Sequence, residues 1–181
     1  PKIYIAGVGP LMTEVAAEVG DGYFLHPFNT ALSTDELSLA AITRGLDKSG
    51  KSRADYEVSA QVITATGLDE ESMQTAIASA RNQIAFYAST PAYLPVLQCH
   101  GWESLQADAN QMMRAGKWTQ LNDLIDDDIL NTFAVVGTPA EVAQKIAARY
   151  RGKVERISPV VYQPDVALLA ELRCQISSAV N

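Results

Sequence analysis

The chain opens on a short apolar run, Ile3-Tyr4-Ile5, that breaks at Gly7-Val8-Gly9-Pro10 and passes at once into a helical pattern, LMTEVAAEVG. A second run, Tyr23-Phe24-Leu25-His26, follows directly and is stopped by Pro27. Strand, helix and strand joined by connections this short form a βαβ unit, and hence a parallel sheet. The glycine turn also has chemical content. Glycine lets the backbone approach a ligand closely, and the first N–H groups of the following helix point at whatever lies before it, so the turn suits a phosphate. It suits a tight strand-to-helix connection with no ligand equally well, because two glycines two apart are a weak signal.

The alternation continues along the chain. Leu11, Val15 and Val19 recur at helical spacing with Ala16 and Ala17 between them, and Gly20 and Gly22 end that helix. Ser33 with Glu36 reads as a capping box for a second helix whose apolar face is Leu37, Ala40, Ala41 and Leu46. Residues 56–66, YEVSAQVITAT, are rich in β-branched side chains and predict a third strand ending at Gly67. A long helix then starts near Asp69 with Met73, Ile77, Ala80, Ile84 and Tyr87 in one stripe, and it must stop near Thr90 because Pro91 disfavours helix at the residue before it.

Residues 91–133 are helical in pattern with no strand, and too apolar for a disordered linker. They read as an insertion that packs on the domain or covers a site. Thr138-Pro139-Ala140-Glu141 combines an N-cap threonine, proline at the first helical position and glutamate three after the cap. A fourth strand at 154–161 and a final helix complete the order β-α-β-α-β-α-insertion-α-β-α. The expected fold is α/β, a single domain over 1–181 with four βα units and parallel strands. That is half of a (β/α)8 TIM barrel, whose usual length is around 250 residues. The chain begins at proline and its first residues already read as an interior strand, so a preceding N-terminal portion is expected.

A net charge of −7 and a pI near 4.8 argue against nucleic acid or an anionic membrane surface as partner, so any phosphate must be held by local geometry. No apolar stretch approaches the roughly 20 residues of a membrane-spanning helix. Two cysteines, Cys99 and Cys174, are too few for a disulfide framework; they read as reduced thiols of a cytoplasmic protein, with a bridge between them left open.

His26 ends the second strand, the edge on which barrel enzymes build their sites, which makes His26 and Asn29 candidate ligand contacts. A half-buried histidine bonded to a strand-end carbonyl fits the same pattern. Thr64 and Thr66 end the third strand at the same rim, where β-propensity explains them as well. Cys99-His100 does not read as a metal site: adjacent helical residues diverge and no third ligand is near. The acidic run Asp126-Asp127-Asp128 reads as a helix cap, and Trp102, Trp118, Met112 and Met113 as core. With no GxSxG, P-loop or HExxH pattern, no catalytic residue is assigned.

The stretch IYIAGVGPLMTEVAAEVGDGYFLHPFNT resembles the fifth and sixth strands of luciferase-like monooxygenases, with Val19-Gly20-Asp21-Gly22 at the position of their usual Ala-Asp-Gly. Val136-Gly137-Thr138-Pro139-Ala140-Glu141-Val142-Ala143 is similar to the family segment before the eighth strand, and His100-Gly101-Trp102 resembles the coenzyme F420-dependent branch. The resemblance implies the C-terminal half of an oxidoreductase that passes a hydride between coenzyme F420, or FMN in sister branches, and a small organic substrate. It implies that Gly7, Val8, Gly9, Pro10, Leu11 and Met12 meet the cofactor phosphate, with the segment from His26 to Thr30, Asn29 included, bordering the same site. It places the acid and base residues in the absent first half. Four strands leave two unpaired edges, so the expected partner is either that half or a second copy. The alternative is a truncated, non-catalytic module that binds a cofactor or dimerises.

Overall fold

The structure, a computed structural model, describes residues 1–162 and 164–180. Its strands are all parallel and form one sheet: β1 (Tyr4–Ala6), β2 (Gly22–Leu25), β3 (Glu57–Ala65), β4 (Val135–Val136) and β5 (Arg156–Val161). The long β3 organises the sheet. It pairs with β2 from Gly22↔Glu57 to Leu25↔Ala60, with β5 from Ser59↔Arg156 to Thr64↔Val161, and with β4 at Thr64↔Val135 and Ala65↔Val136. β4 is one strand more than the sequence predicts; two residues are too short to leave a periodic signal. At the start of the strands the Glu57 carboxylate gathers Lys2, the Tyr4 hydroxyl and Arg156 Nε, linking β1, β3 and β5.

Two apolar layers flank the sheet. One is built on α1 (Pro10–Val19) and, after the short α2 (Ala31–Ser33), on α3 (Ala40–Ser49). There Ala16, Ala17, Ile42 and Leu46 meet Tyr23, Leu25, Val58, Ala60 and Val62, the outward side of β2 and β3. The second layer comprises α4 (Glu70–Ala88), α5 (Leu94–Gln98), α6 (Glu103–Arg114) and α7 (Asp127–Phe133). Its core joins Ala80, Ile84, Leu97 and Phe133 to Phe28, Ile63 and Ala65, at the C-terminal ends of the strands. α4 therefore belongs with the inserted helices, not with the layer formed by α1 and α3, and the helical cluster is larger than residues 91–133. The chain returns through α8 (Pro139–Tyr150) to β5 and ends in α9 (Val166–Val180).

Three local expectations change. The row Leu11, Val15 and Val19 lies on the outside of α1, with Leu11 74% and Val19 64% exposed. α1 instead packs through small residues, since a Cβ on Gly45 of α3 would lie 2.2 Å from the Glu14 carbonyl oxygen and 2.8 Å from Ala17 Cβ. The second capping box is Thr30 with Ser33, three residues ahead of the expected pair: Ser33 N donates to Thr30 Oγ1 at 3.0 Å, and Thr30 N donates to Ser33 Oγ at 2.9 Å. A π-helical stretch, Thr34–Leu39, then leads into α3. Trp118 is 53% exposed, outside the core. By contrast, Asp126 caps α7, and Thr138 with Glu141 forms the box that opens α8.

Candidate functional site

The turn between β1 and α1 is tied down from behind. Tyr23 Oη donates to the Gly7 carbonyl at 2.6 Å, Thr13 Oγ1 donates to the Gly9 carbonyl at 2.9 Å, and the two hydroxyls are 2.9 Å apart. Because C=O and N–H of one peptide point in opposite directions, holding the Gly7 carbonyl inward turns the Val8 N–H outward. Gly9 is the N-cap of α1 with φ 81°, a conformation that favours glycine, and it brings no capping side chain. Pro10 at the first helical position has no N–H. The N–H groups of Val8, Gly9, Leu11 and Met12 thus find no acceptor among the described residues. A Cβ on Gly9 would meet nothing within 4 Å, so the space before the helix is open. Free N–H groups at the positive end of a helix dipole suit an anion.

Beside this turn lies a cavity of about 40 Å³, lined by Gly7, Val8, Gly9, Pro10, His26 and Asn29 together with residues of the helical cluster, Tyr93 among them. At ~10–15 Å³ for one water, it admits a compact group such as a phosphate, not a three-ring system. The structure thus gathers the predicted turn and strand-end residues around one cavity. Leu11 and Met12 do not line it: their side chains face solvent, and only their N–H groups are available to the site.

His26 and Asn29 play different parts there. His26 Nδ1 accepts from the Phe28 N–H at 3.1 Å, and Nε2 lies 3.0 Å from Tyr93 Oη. The imidazole stacks on Tyr93 at 4.7 Å and meets the edge of Tyr87 at 4.8 Å. Burial drives its pKa down to about 4, so the ring is neutral at physiological pH. Asn29 has no atom to spare. Its Nδ2 donates to the His26 carbonyl at 2.5 Å and the Gln61 carbonyl at 3.3 Å, while Oδ1 accepts from Thr34 at 3.2 Å and Tyr150 at 2.8 Å. It fixes the loop that presents His26.

The remaining candidates lie apart from this cavity. The Thr64 hydroxyl donates to the Val62 carbonyl at 2.9 Å. Thr66 is buried with its hydroxyl unpartnered, beside a different cleft that also touches Tyr162. His100 stacks on Trp102 at 4.7 Å, and its Nε2 lies 2.9 Å from Thr30 Oγ1, which latches the helical cluster to the loop after β2. Cys99 and Cys174 are free thiols, and among the described residues no three His, Cys, Asp or Glu side chains converge. Tyr93 lines the cavity and Tyr87, placed by the sequence in an apolar helix stripe, packs its edge on His26. Sequence patterning marks neither as a site residue, and the signal available was the pair of tyrosines on either side of Pro91.

Residues 1–156 match the family described as luciferase-like monooxygenase. The chain belongs to that family. A protein of Mycobacterium tuberculosis is 42% identical over 160 residues, 88% of this chain and 47% of that protein. A 5,10-methylenetetrahydromethanopterin reductase of Archaeoglobus fulgidus is 31% identical over 151 residues, 80% of this chain and 43% of its own length. Among solved structures, the coenzyme F420-dependent tetrahydromethanopterin reductase of Methanopyrus kandleri superposes with a TM-score of 0.74 at 24% identity, covering 96% of this chain and 49% of the reductase. An F420-dependent secondary alcohol dehydrogenase in complex with an F420-acetone adduct gives 0.64 at 17% identity. This luciferase-like chain therefore spans about half the length of the relatives it matches, and its parallel α/β fold is similar to that of an F420-dependent reductase. Among the described residues no helix is long and apolar enough to cross a membrane.

Proposed function

We propose that this chain is the C-terminal half of a (β/α)8 luciferase-like oxidoreductase and carries the phosphate-binding end of its coenzyme F420 site. The observation that carries the reading is the α1 N-terminus, where two turn carbonyls are tied inward by Tyr23 and Thr13 and four N–H groups are left free beside an open cavity. The chemistry of that donor set fits a phosphate, and the likeness to F420-dependent enzymes favours F420 as the cofactor that bears it; FMN is the alternative. When bound, F420 supplies the hydride carrier for a small organic substrate. The residues of this chain hold the phosphate through Val8, Gly9, Leu11 and Met12 N–H, while the aromatic wall of Tyr87, Tyr93 and Phe28 excludes water on the side of His26.

Fluorescence titration of the chain with F420, with FMN as competitor, tests this. Val8→Asp places a carboxylate beside the turn without entering the core and is expected to weaken F420 binding about tenfold or more by charge repulsion. Equal affinity of the variant and the parent would overturn the assignment of the turn.

A second reading, a dimerising half-barrel without turnover, is favoured by one observation: the row Leu11, Val15 and Val19 faces solvent on α1, where a neighbouring βα unit would sit in a closed barrel. The partner is then a second copy, in place of the N-terminal half.

A further inference from the structure

The hydrogen bonds around His26 fix the direction of a proton. Phe28 N–H can only donate, so His26 Nδ1 is the bare, accepting nitrogen. A neutral imidazole then carries its proton on Nε2 and donates it to Tyr93 Oη, 3.0 Å away. The Tyr93 hydroxyl makes no other hydrogen bond among the described residues, so its own proton is left over, and Tyr93 and His26 both line the cavity beside the Gly7–Gly9 turn. We propose that Tyr93 is a hydrogen-bond donor to an acceptor oxygen of the bound ligand, a phosphate or carbonyl oxygen, and that His26 is the positioning residue that gives Tyr93 this polarity.

The proposal rests on the reading of the turn as a phosphate site and deepens it. The same small cavity is lined by Val8 and Gly9, whose N–H groups are free, and by Tyr93 of the helical cluster, and all of these groups donate. A group bound there must present acceptors to both, as an oxyanion does. The neutrality of His26 matters as well: burial holds the ring uncharged, so the site is selected by hydrogen-bond direction, with no ion pair from a cationic imidazole.

The first measurement needs no ligand. The ¹⁵N spectrum of the His26 imidazole in the free chain is expected to show Nδ1 bare and Nε2 protonated; the opposite tautomer would overturn the proposal outright. The second measurement is affinity for F420 and for inorganic phosphate. Tyr93→Phe keeps the stacked ring and loses the donor, and is expected to bind F420 about tenfold more weakly, in keeping with a hydrogen bond to a charged acceptor, with a small drop in thermal midpoint because His26 Nε2–H loses its acceptor. His26→Phe is expected to give a smaller loss that disappears in the Tyr93→Phe background, because His26 acts through Tyr93. Additive losses, or a Tyr93→Phe variant that binds like the parent, would mean the pair only packs the helical cluster on the sheet. A parent chain that binds neither probe, with the His26 tautomer as expected, overturns the ligand contact through the phosphate reading. The two failures are thus told apart.

Discussion

Asn29 joins four separate pieces of chain through one carboxamide: the His26 carbonyl, the Gln61 carbonyl of β3, Thr34 in the π-helical stretch and the buried Tyr150 hydroxyl of α8. Asn29→Ala strands these partners in the interior and is expected to cost about 2–4 kcal/mol, read as a lower urea midpoint at unchanged slope. His26 gives a second expectation at this scale. Its folded pKa of about 4 lies below the ordinary 6.5, so the stability it confers is fully present above pH 6.5 and is lost as pH falls toward 4. After allowance for solvent screening the loss is on the order of 1–2 kcal/mol, and His26→Gln should flatten that limb of the stability profile. The positions of both residues were legible in the sequence, since a histidine at a strand end followed by proline marks the rim of a parallel sheet. Their division of labour was not, because Gln61 and Tyr150 lie 32 and 121 residues away from Asn29 and no local pattern points to them.

At the level of elements, local chemistry was legible where it acts within a few residues and misleading where packing decides. The Thr138 to Glu141 box and the Asp126 cap follow from spacing alone, because donor and acceptor are three residues apart. The seating of α1 does not. Apolar spacing marks Leu11, Val15 and Val19, yet the helix turns Ala16 and Ala17 inward because Gly45 admits them to the closest approach. Gly45→Ala puts a methyl 2.2 Å from the Glu14 carbonyl oxygen and must push α1 away from α3. Overpacking of this kind costs typically 1–3 kcal/mol. Since α1 also carries the turn, F420 affinity and thermal midpoint are expected to fall together in this variant, whereas Val8→Asp moves affinity alone.

Across the whole molecule, the exposed row on α1 is apolar surface of the kind that monomers rarely leave uncovered. The chain is expected to associate reversibly at micromolar concentration, and sedimentation velocity reads this directly. Leu11→Lys with Val15→Lys should return it to a monomer without loss of helical content, because neither side chain is buried. A parent chain that stays monomeric at every concentration would remove the dimer reading and leave the proposal that the chain is half of a longer barrel.

The helical cluster leaves the sheet after Ala65 and comes back at Val135, and these two points are neighbours: β4 pairs with the last residues of β3, and the Gly137 N–H donates to the Ala65 carbonyl at 3.1 Å. An excursion whose two ends already touch can grow, shrink or be exchanged without shifting the strands that frame it. In this architecture the helices bearing Tyr87 and Tyr93 are free to be remodelled, while the glycine turn, which precedes the excursion in the chain, keeps its geometry.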